Sequence, residues 1–81
     1  MDEKVIIYST PTCTYCKQAK EFFTEKGVAY TDYDVSTDVE KRTEMLELTG
    51  QMAVPVIVVP GKDPVVGFER NAMAEILGIA A

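Results

Sequence analysis

The sequence predicts a single α/β domain over residues 1–81, in which a four-stranded mixed sheet is flanked by three helices in the order βαβαββα. Continuous runs of strand-forming apolar residues indicate strands that are buried on both faces. Apolar residues that recur at offsets of three, four, seven and eight indicate amphipathic helices. A chain of 81 residues is also too short for a second domain with its own core.

The first half of the chain predicts a strand, a helix and a second strand. Residues 4–9 form an apolar run that is typical of a central strand. Residues 14–26 have helical periodicity, and Gly27 follows as the C-terminal cap. The apolar positions of this helix are Tyr15, Ala19, Phe22 and Phe23. Residues 28–35 then predict a strand parallel to the first one, since a helix joins the two.

A second helix is predicted from a capping box to Gly50. Thr37 and Glu40 have the spacing of that motif, in which two side chains cap each other's backbone N–H groups. The apolar positions of this helix are few, namely Val39, Met45 and Leu46. We therefore expect a helix that lies on the surface.

The last third of the chain predicts a hairpin and a helix. Residues 55–59 form another apolar strand, and residues 60–64 form a turn. Residues 65–66 then form a short strand antiparallel to residues 55–59. The final helix has a core-facing stripe of Met73, Ile76, Leu77 and Ala80. This order of elements is that of a minimal thioredoxin-like fold.

Composition excludes several classes of function. Thirteen acidic and eight basic residues give a net charge of -5, which disfavours binding to nucleic acid or to an anionic membrane. No apolar run is long enough for a membrane span, and the charged residues 1–4 do not resemble a signal peptide. We therefore expect a cytoplasmic protein, and a monomer. Histidine is absent, so the commonest general base and metal ligand is missing.

Two cysteines carry the predicted chemistry. Cys13 and Cys16 lie three positions apart between the first strand and the first helix. This arrangement puts Cys13 at the helix N-terminus, where the helix dipole stabilises a thiolate, and Cys16 one turn inside. Side chains three apart on a helix are close enough to form a disulfide after small adjustments. We expect Cys13 to attack a disulfide and Cys16 to resolve the mixed disulfide that results.

Two residues next to the cysteines, and metal binding as an alternative use of the pair, also bear on the predicted chemistry. Lys17 adds positive charge near Cys13 or holds a substrate carboxylate, although an exposed lysine is usually just solvated. Tyr15 packs over the site or belongs to the apolar helix face. A zinc or iron-sulfur site needs more ligands than one chain supplies, so a metal would require a dimer. We therefore predict no metal site and no bound cofactor within the chain.

The chain resembles the glutaredoxin family along nearly its whole length. The resemblance rests on the run Tyr-Ser-Thr-Pro-Thr-Cys-Thr-Tyr-Cys at residues 8–16, on Ala53-Val-Pro-Val, and on Val66-Gly-Phe before the last helix. It implies a dithiol oxidoreductase that reduces protein or glutathione mixed disulfides. It also implies that Pro55 is cis and that the backbone before it pairs with the cysteinyl part of glutathione. The substrate contacts that it suggests are Gln51, Ala53, Val54, Pro55, Gly67, Phe68 and Glu69.

Three departures from the family pattern concern the reductant. Thr14 stands where proline is common, and Thr10 stands where many members have a lysine. Residues 67–70 are Gly-Phe-Glu-Arg, where members that use glutathione usually have two glycines and an Asp-Asp pair. This segment is similar to small glutaredoxin-like proteins, some of which are reduced by thioredoxin reductase. We expect glutathione to be a usable but inefficient reductant. The alternative function is that of a dedicated electron donor to one partner enzyme, itself reduced by thioredoxin reductase.

Overall fold

The computed structural model describes residues 4–80, and its elements follow the predicted order. The strands are β1 (Val5–Ser9), β2 (Tyr30–Asp34), β3 (Val56–Val58) and β4 (Val65–Val66), and the helices are α1 (Thr14–Glu25), α2 (Val39–Thr49) and α3 (Arg70–Leu77). Residues 1–3, on which the expectation about a signal peptide partly rests, lie outside the described residues, as does residue 81. No helix within residues 4–80 has the length and apolar character needed to cross a membrane.

The strands form one mixed sheet in the order β2-β1-β3-β4. Strand β1 is central, as predicted, and it runs parallel to β2 and antiparallel to β3. The predicted hairpin is also present, because β3 pairs antiparallel with β4. Pairing of Tyr8 with Val56 brings the start of β3 beside the end of β1. The chain leaves β1 at this point and enters the loop that contains Cys13.

The core lies on both faces of this sheet. One buried cluster faces α1 and α3 and consists of Val5, Ile7, Ala19, Phe22, Phe23, Ile57, Val59, Met73 and Ala74. A smaller cluster faces α2 and consists of Tyr8, Val35, Met45 and Val56. Ile7 and Tyr8 belong to different clusters because successive side chains of a strand point to opposite faces. The apolar run of β1 is therefore buried on both sides, as its composition predicts.

Three local predictions were wrong. Tyr15 is 59% exposed instead of lying on the buried face of α1, where Cys16 takes its place. Asp38 and not Thr37 caps α2, because the Asp38 carboxylate accepts a hydrogen bond from the Lys41 N–H at 3.1 Å. Ala80 lies beyond α3 and is exposed, because Gly78 adopts a left-handed φ of 73° that ends the helix.

Helix α2 is a surface helix, as its composition predicts. Met45 is its buried residue, whereas Val39 and Leu46 are exposed. Polar contacts hold the helix against the sheet: the Tyr8 hydroxyl donates to Glu44 at 3.2 Å, and the Lys41 ammonium lies over the Tyr33 ring. The buried Cys16 instead lies on α1, the helix that contributes Ala19, Phe22 and Phe23 to the larger cluster.

Candidate active site

Cys13 caps the N-terminus of α1. Its backbone is extended, with φ of −83° and ψ of 115°, and its sulfur accepts a hydrogen bond from the Cys16 N–H at 3.1 Å. The Lys17 N–H donates to the Cys13 carbonyl at 3.2 Å, so the first turn of the helix closes on this residue. No acidic residue lies in that first turn. The predicted position of Cys13 at the positive end of the helix dipole is thus confirmed.

Cys16 differs from Cys13 in its surroundings. The Cys16 side chain is fully buried, whereas Cys13 is half-buried, and the two sulfurs are not joined in a disulfide. Burial raises the pKa of the Cys16 thiol to about 12, with a further contribution from its hydrogen bond with Cys13. A buried thiol loses its proton less readily because burial disfavours the charged form. The first sulfur is therefore accessible, and the second is held as a neutral thiol behind it.

A polar network that the sequence analysis missed joins β1 and β2 to α1, one helical turn after Cys16. The buried Ser9, at the end of β1, donates a hydrogen bond from its hydroxyl to Asp32 on β2 at 2.5 Å. The other oxygen of Asp32 forms an ion pair with the Lys20 ammonium at 3.1 Å. Lys20 lies one helical turn after Cys16, and its charge lowers the pKa of that thiol against the larger effect of burial. The spacing of Lys20 from Cys16 is the one signal in the sequence that points to this network.

The segment before β3 leads to Val56, which pairs with Tyr8 near the end of β1. The Val54–Pro55 bond is cis, as the family resemblance implies. The Pro55 carbonyl accepts a hydrogen bond from the Gly67 N–H at 2.7 Å, which ties the segment after β4 to this position. Val54 precedes β3, and its backbone groups take part in none of the turn, loop and cap hydrogen bonds found within residues 4–80.

The structure brings only some of the other predicted contacts together. Gly67, Phe68 and Glu69 line a groove of about 320 Å³ between β4 and α3. The Phe68 ring also packs against Phe22, with 5.6 Å between ring centroids, so part of its role is structural. The remaining predicted contacts lie outside this groove: Tyr15, Lys17 and Gln51 are exposed, and Ala53 is half-buried.

Glu69 caps α3 with its own side chain. Its carboxylate accepts a hydrogen bond from the Ala72 N–H at 2.6 Å. An anionic group therefore already occupies the N-terminus of the helix that follows the groove, where unpaired N–H groups would otherwise attract a ligand carboxylate.

Comparison with known proteins identifies the family. The family model for glutaredoxin matches residues 5–63, which include both cysteines and Pro55. The chain belongs to the glutaredoxin family. Like the other members, this glutaredoxin is a thiol-disulfide oxidoreductase with a thioredoxin-like fold.

Individual relatives agree with this assignment. An uncharacterised glutaredoxin-like 8.6 kDa protein from the rubredoxin operon of Clostridium pasteurianum is 39% identical over 88% of this chain and 93% of its own length. Glutaredoxin 3 of Escherichia coli K12 is 36% identical over 68% of this chain and 66% of its own length. The crystal structure of the thioredoxin-like protein BC3987 superimposes with a TM-score of 0.82 at 30% identity, over 90% of this chain and 99% of that one.

No group of three potential metal-binding side chains, drawn from His, Cys, Asp and Glu, occurs within residues 4–80. A metal shared between two copies of this glutaredoxin would need ligands from both chains, so that alternative stays a prediction.

Proposed function

We propose that this protein reduces protein and glutathione mixed disulfides by dithiol exchange, with Cys13 as the attacking thiolate and Cys16 as the resolving thiol. One observation carries the proposal, namely the difference between the two sulfurs. Cys13 is accessible and accepts the Cys16 N–H at 3.1 Å, whereas Cys16 is fully buried with a pKa raised to about 12. A thiolate is the nucleophile of disulfide exchange, so the Cys13 sulfur attacks the substrate first and Cys16 reacts only with the mixed disulfide.

The exchange consists of two displacements. The Cys13 thiolate attacks one sulfur of the substrate disulfide, whose S–S bond breaks, and the departing thiolate takes up a proton. Cys16 then attacks Cys13 in the mixed disulfide, and its proton passes to the second departing sulfur. The substrate gains two electrons, and the protein is left with a Cys13–Cys16 disulfide. A thiol reductant restores the dithiol, so the proposed cycle needs no resident metal or organic cofactor.

The segment before β3 is the proposed docking edge for the substrate. An extended substrate chain can pair with the backbone of Ala53 and Val54 in the manner of an added strand. The tie between Gly67 and the Pro55 carbonyl at 2.7 Å supports this role, because it anchors the segment next to the loop that contains Cys13.

The proposed reductant is glutathione, which reduces the protein inefficiently. The protein itself is proposed to be a cytoplasmic monomer. Glutathione carries two carboxylates and one amine, and its firm capture needs cationic groups or free backbone donors. Thr10 supplies no charge, and the carboxylate of Glu69 occupies the N-terminus of α3. This occupied helix end also favours a second candidate, in which thioredoxin reductase or another protein reductant regenerates the dithiol.

Single replacement of each cysteine tests the proposed roles. Cys13→Ser should abolish all disulfide reduction. Cys16→Ser should still form a mixed disulfide at Cys13 and should retain activity on small glutathione adducts. Mass spectrometry of the trapped adduct identifies the attacking sulfur. Retained activity in Cys13→Ser would overturn the assignment. Parallel turnover assays, one with glutathione and its reductase and one with thioredoxin reductase, separate the two reductants.

A further inference from the structure

We propose that Lys20 is a positioning residue for the resolving step, in which its ammonium group stabilises the negative charge that develops on Cys16 as this sulfur attacks Cys13. The inference rests on the proposed function and adds a residue to it. Its basis is the network of Ser9, Asp32 and Lys20, which joins the end of β1 to β2 and to α1, where Lys20 lies one helical turn after Cys16.

The helix brings Lys20 to the same side as Cys16. Residues four apart on a helix are neighbours one turn apart, so the stem of Lys20 starts next to the turn that carries the sulfur. Burial raises the pKa of the Cys16 thiol to about 12, and the Lys20 charge acts on that pKa in the opposite direction. This effect persists although Asp32, at 3.1 Å from the ammonium, offsets part of the charge.

The network fixes the position of an otherwise flexible side chain. A lysine ammonium is a point charge on a mobile four-carbon stem, and it holds a defined position only when a partner restrains it. Asp32 supplies that restraint, and the buried Ser9 hydroxyl in turn holds Asp32 at 2.5 Å. The Lys20 side chain is only 27% exposed, in contrast to the exposed Lys17, which follows Cys16 directly.

Resolution of the mixed disulfide needs such a group. The Cys16 S–H bond gives up its proton, the Cys16 sulfur forms a bond to the Cys13 sulfur, and the bond from Cys13 to the substrate sulfur breaks. The electron pair of that bond leaves with the substrate thiolate, which takes up the proton. Negative charge therefore develops on the buried Cys16 sulfur, and burial disfavours that charge. The chain contains no histidine that could act as a base, and Lys20 supplies a cation one helical turn from Cys16.

Reaction of the reduced protein with the neutral disulfide dithiodipyridine separates the two steps. The first thiopyridone is released when Cys13 attacks, and the second is released when Cys16 resolves the adduct. Stopped-flow absorbance should show a slower second release in Lys20→Met and an unchanged first release. Thiolate fraction and intrinsic nucleophilicity change in opposite directions, so each tenfold loss of Cys16 thiolate should slow the second release about threefold.

Two further variants show whether Lys20 acts through its positive charge or whether its replacement only disturbs the structure. Lys20→Arg keeps the charge and should restore most of the second rate. Lys41→Met removes another ion-paired lysine, which contacts Glu44 at 3.0 Å on α2, and should change neither rate. The inference is wrong if Lys20→Met leaves the second rate unchanged, slows both releases equally, or is matched by an equally slow Lys20→Arg. Absence of the first release in the wild-type protein would instead remove the proposed function, and this inference with it.

Discussion

Helices α1 and α3 both begin at an extended residue whose own side chain caps the helix, but the two capping side chains differ in charge and reactivity. Cys13 and Glu69 are both extended N-cap residues, and each accepts a hydrogen bond from the N–H three residues later. The sulfur of Cys13 accepts at 3.1 Å, and the carboxylate of Glu69 accepts at 2.6 Å. The N-terminus of α1 therefore presents a reactive sulfur, whereas the N-terminus of α3 is capped by a carboxylate that carries a full negative charge.

Of these two helices, α1 is the one whose positive dipole end is not neutralised by a capping carboxylate. Sulfur is a weak hydrogen-bond acceptor, and cysteine is not among the preferred N-cap residues, so α1 gives up part of the stability that a better cap would provide. In return, the positive end of its dipole is free to stabilise a thiolate, and no acidic residue lies in its first turn. The Glu69 carboxylate instead neutralises the start of α3, which makes that site unattractive to a second anion.

The largest expected effect separates the two sulfurs of α1. Iodoacetamide at pH 9 should alkylate Cys13 at least about a hundredfold faster than Cys16, because a pKa of about 12 leaves Cys16 almost entirely protonated. Reactivity of Cys16 should rise only as the pH approaches that value. Mass spectrometry of timed samples should show a single adduct on the folded protein and a double adduct in denaturant. Two adducts forming at similar rates on the folded protein would contradict the difference in burial.

A smaller effect is expected when a carboxylate is placed at the N-terminus of α1, as Glu69 places one at the N-terminus of α3. Thr14→Glu places a carboxylate in the first turn, where it should oppose the Cys13 thiolate and slow the first thiopyridone release about fivefold. Thr24→Glu adds the same charge at the other end of the helix and should leave that rate unchanged. The effect of Thr14→Glu should weaken as salt is added. Equal rates for the two variants would show that the helix N-terminus does not assist Cys13.

Local patterns in the sequence are sufficient to predict the order of elements and the position of the cysteines. The apolar run of β1 and the periodicity of α1 depend on neighbouring residues only. The same holds for Gly50, which ends α2 with a left-handed φ of 70°. The junction between β1 and α1 therefore locates Cys13 before any tertiary contact is known.

The rest depends on contacts that the sequence does not reveal. Periodicity alone extends α3 to Ala80, whereas the left-handed Gly78 ends it at Leu77. The network of Ser9, Asp32 and Lys20 requires the parallel register of β1 and β2, which pairs Ile7 with Asp32. That register is a tertiary property, so the sequence analysis did not identify this network.

The smallest expected effect concerns glutathione at the start of α3. Glu69→Gln keeps an oxygen that can accept the Ala72 N–H but removes the negative charge. The carboxylate of the γ-glutamyl end should then meet less repulsion, and the affinity for glutathione should rise about twofold to threefold, since an exposed charge at a helix end is worth only about 0.3–1 kcal/mol. Titration of glutathione into Cys16→Ser, with and without Glu69→Gln, measures this change.

Two other variants show whether the gain comes from the helix start. Glu75→Gln removes an exposed carboxylate from the last turn of α3 and should leave the affinity unchanged. Thr10→Lys adds a cation in the loop before Cys13 and should increase the affinity, because it supplies the charge that this loop lacks. Tight, salt-insensitive binding that ignored both Glu69→Gln and Thr10→Lys would mean that other contacts hold glutathione. The capped start of α3 would then no longer argue for a protein reductant, and glutathione would become the main one.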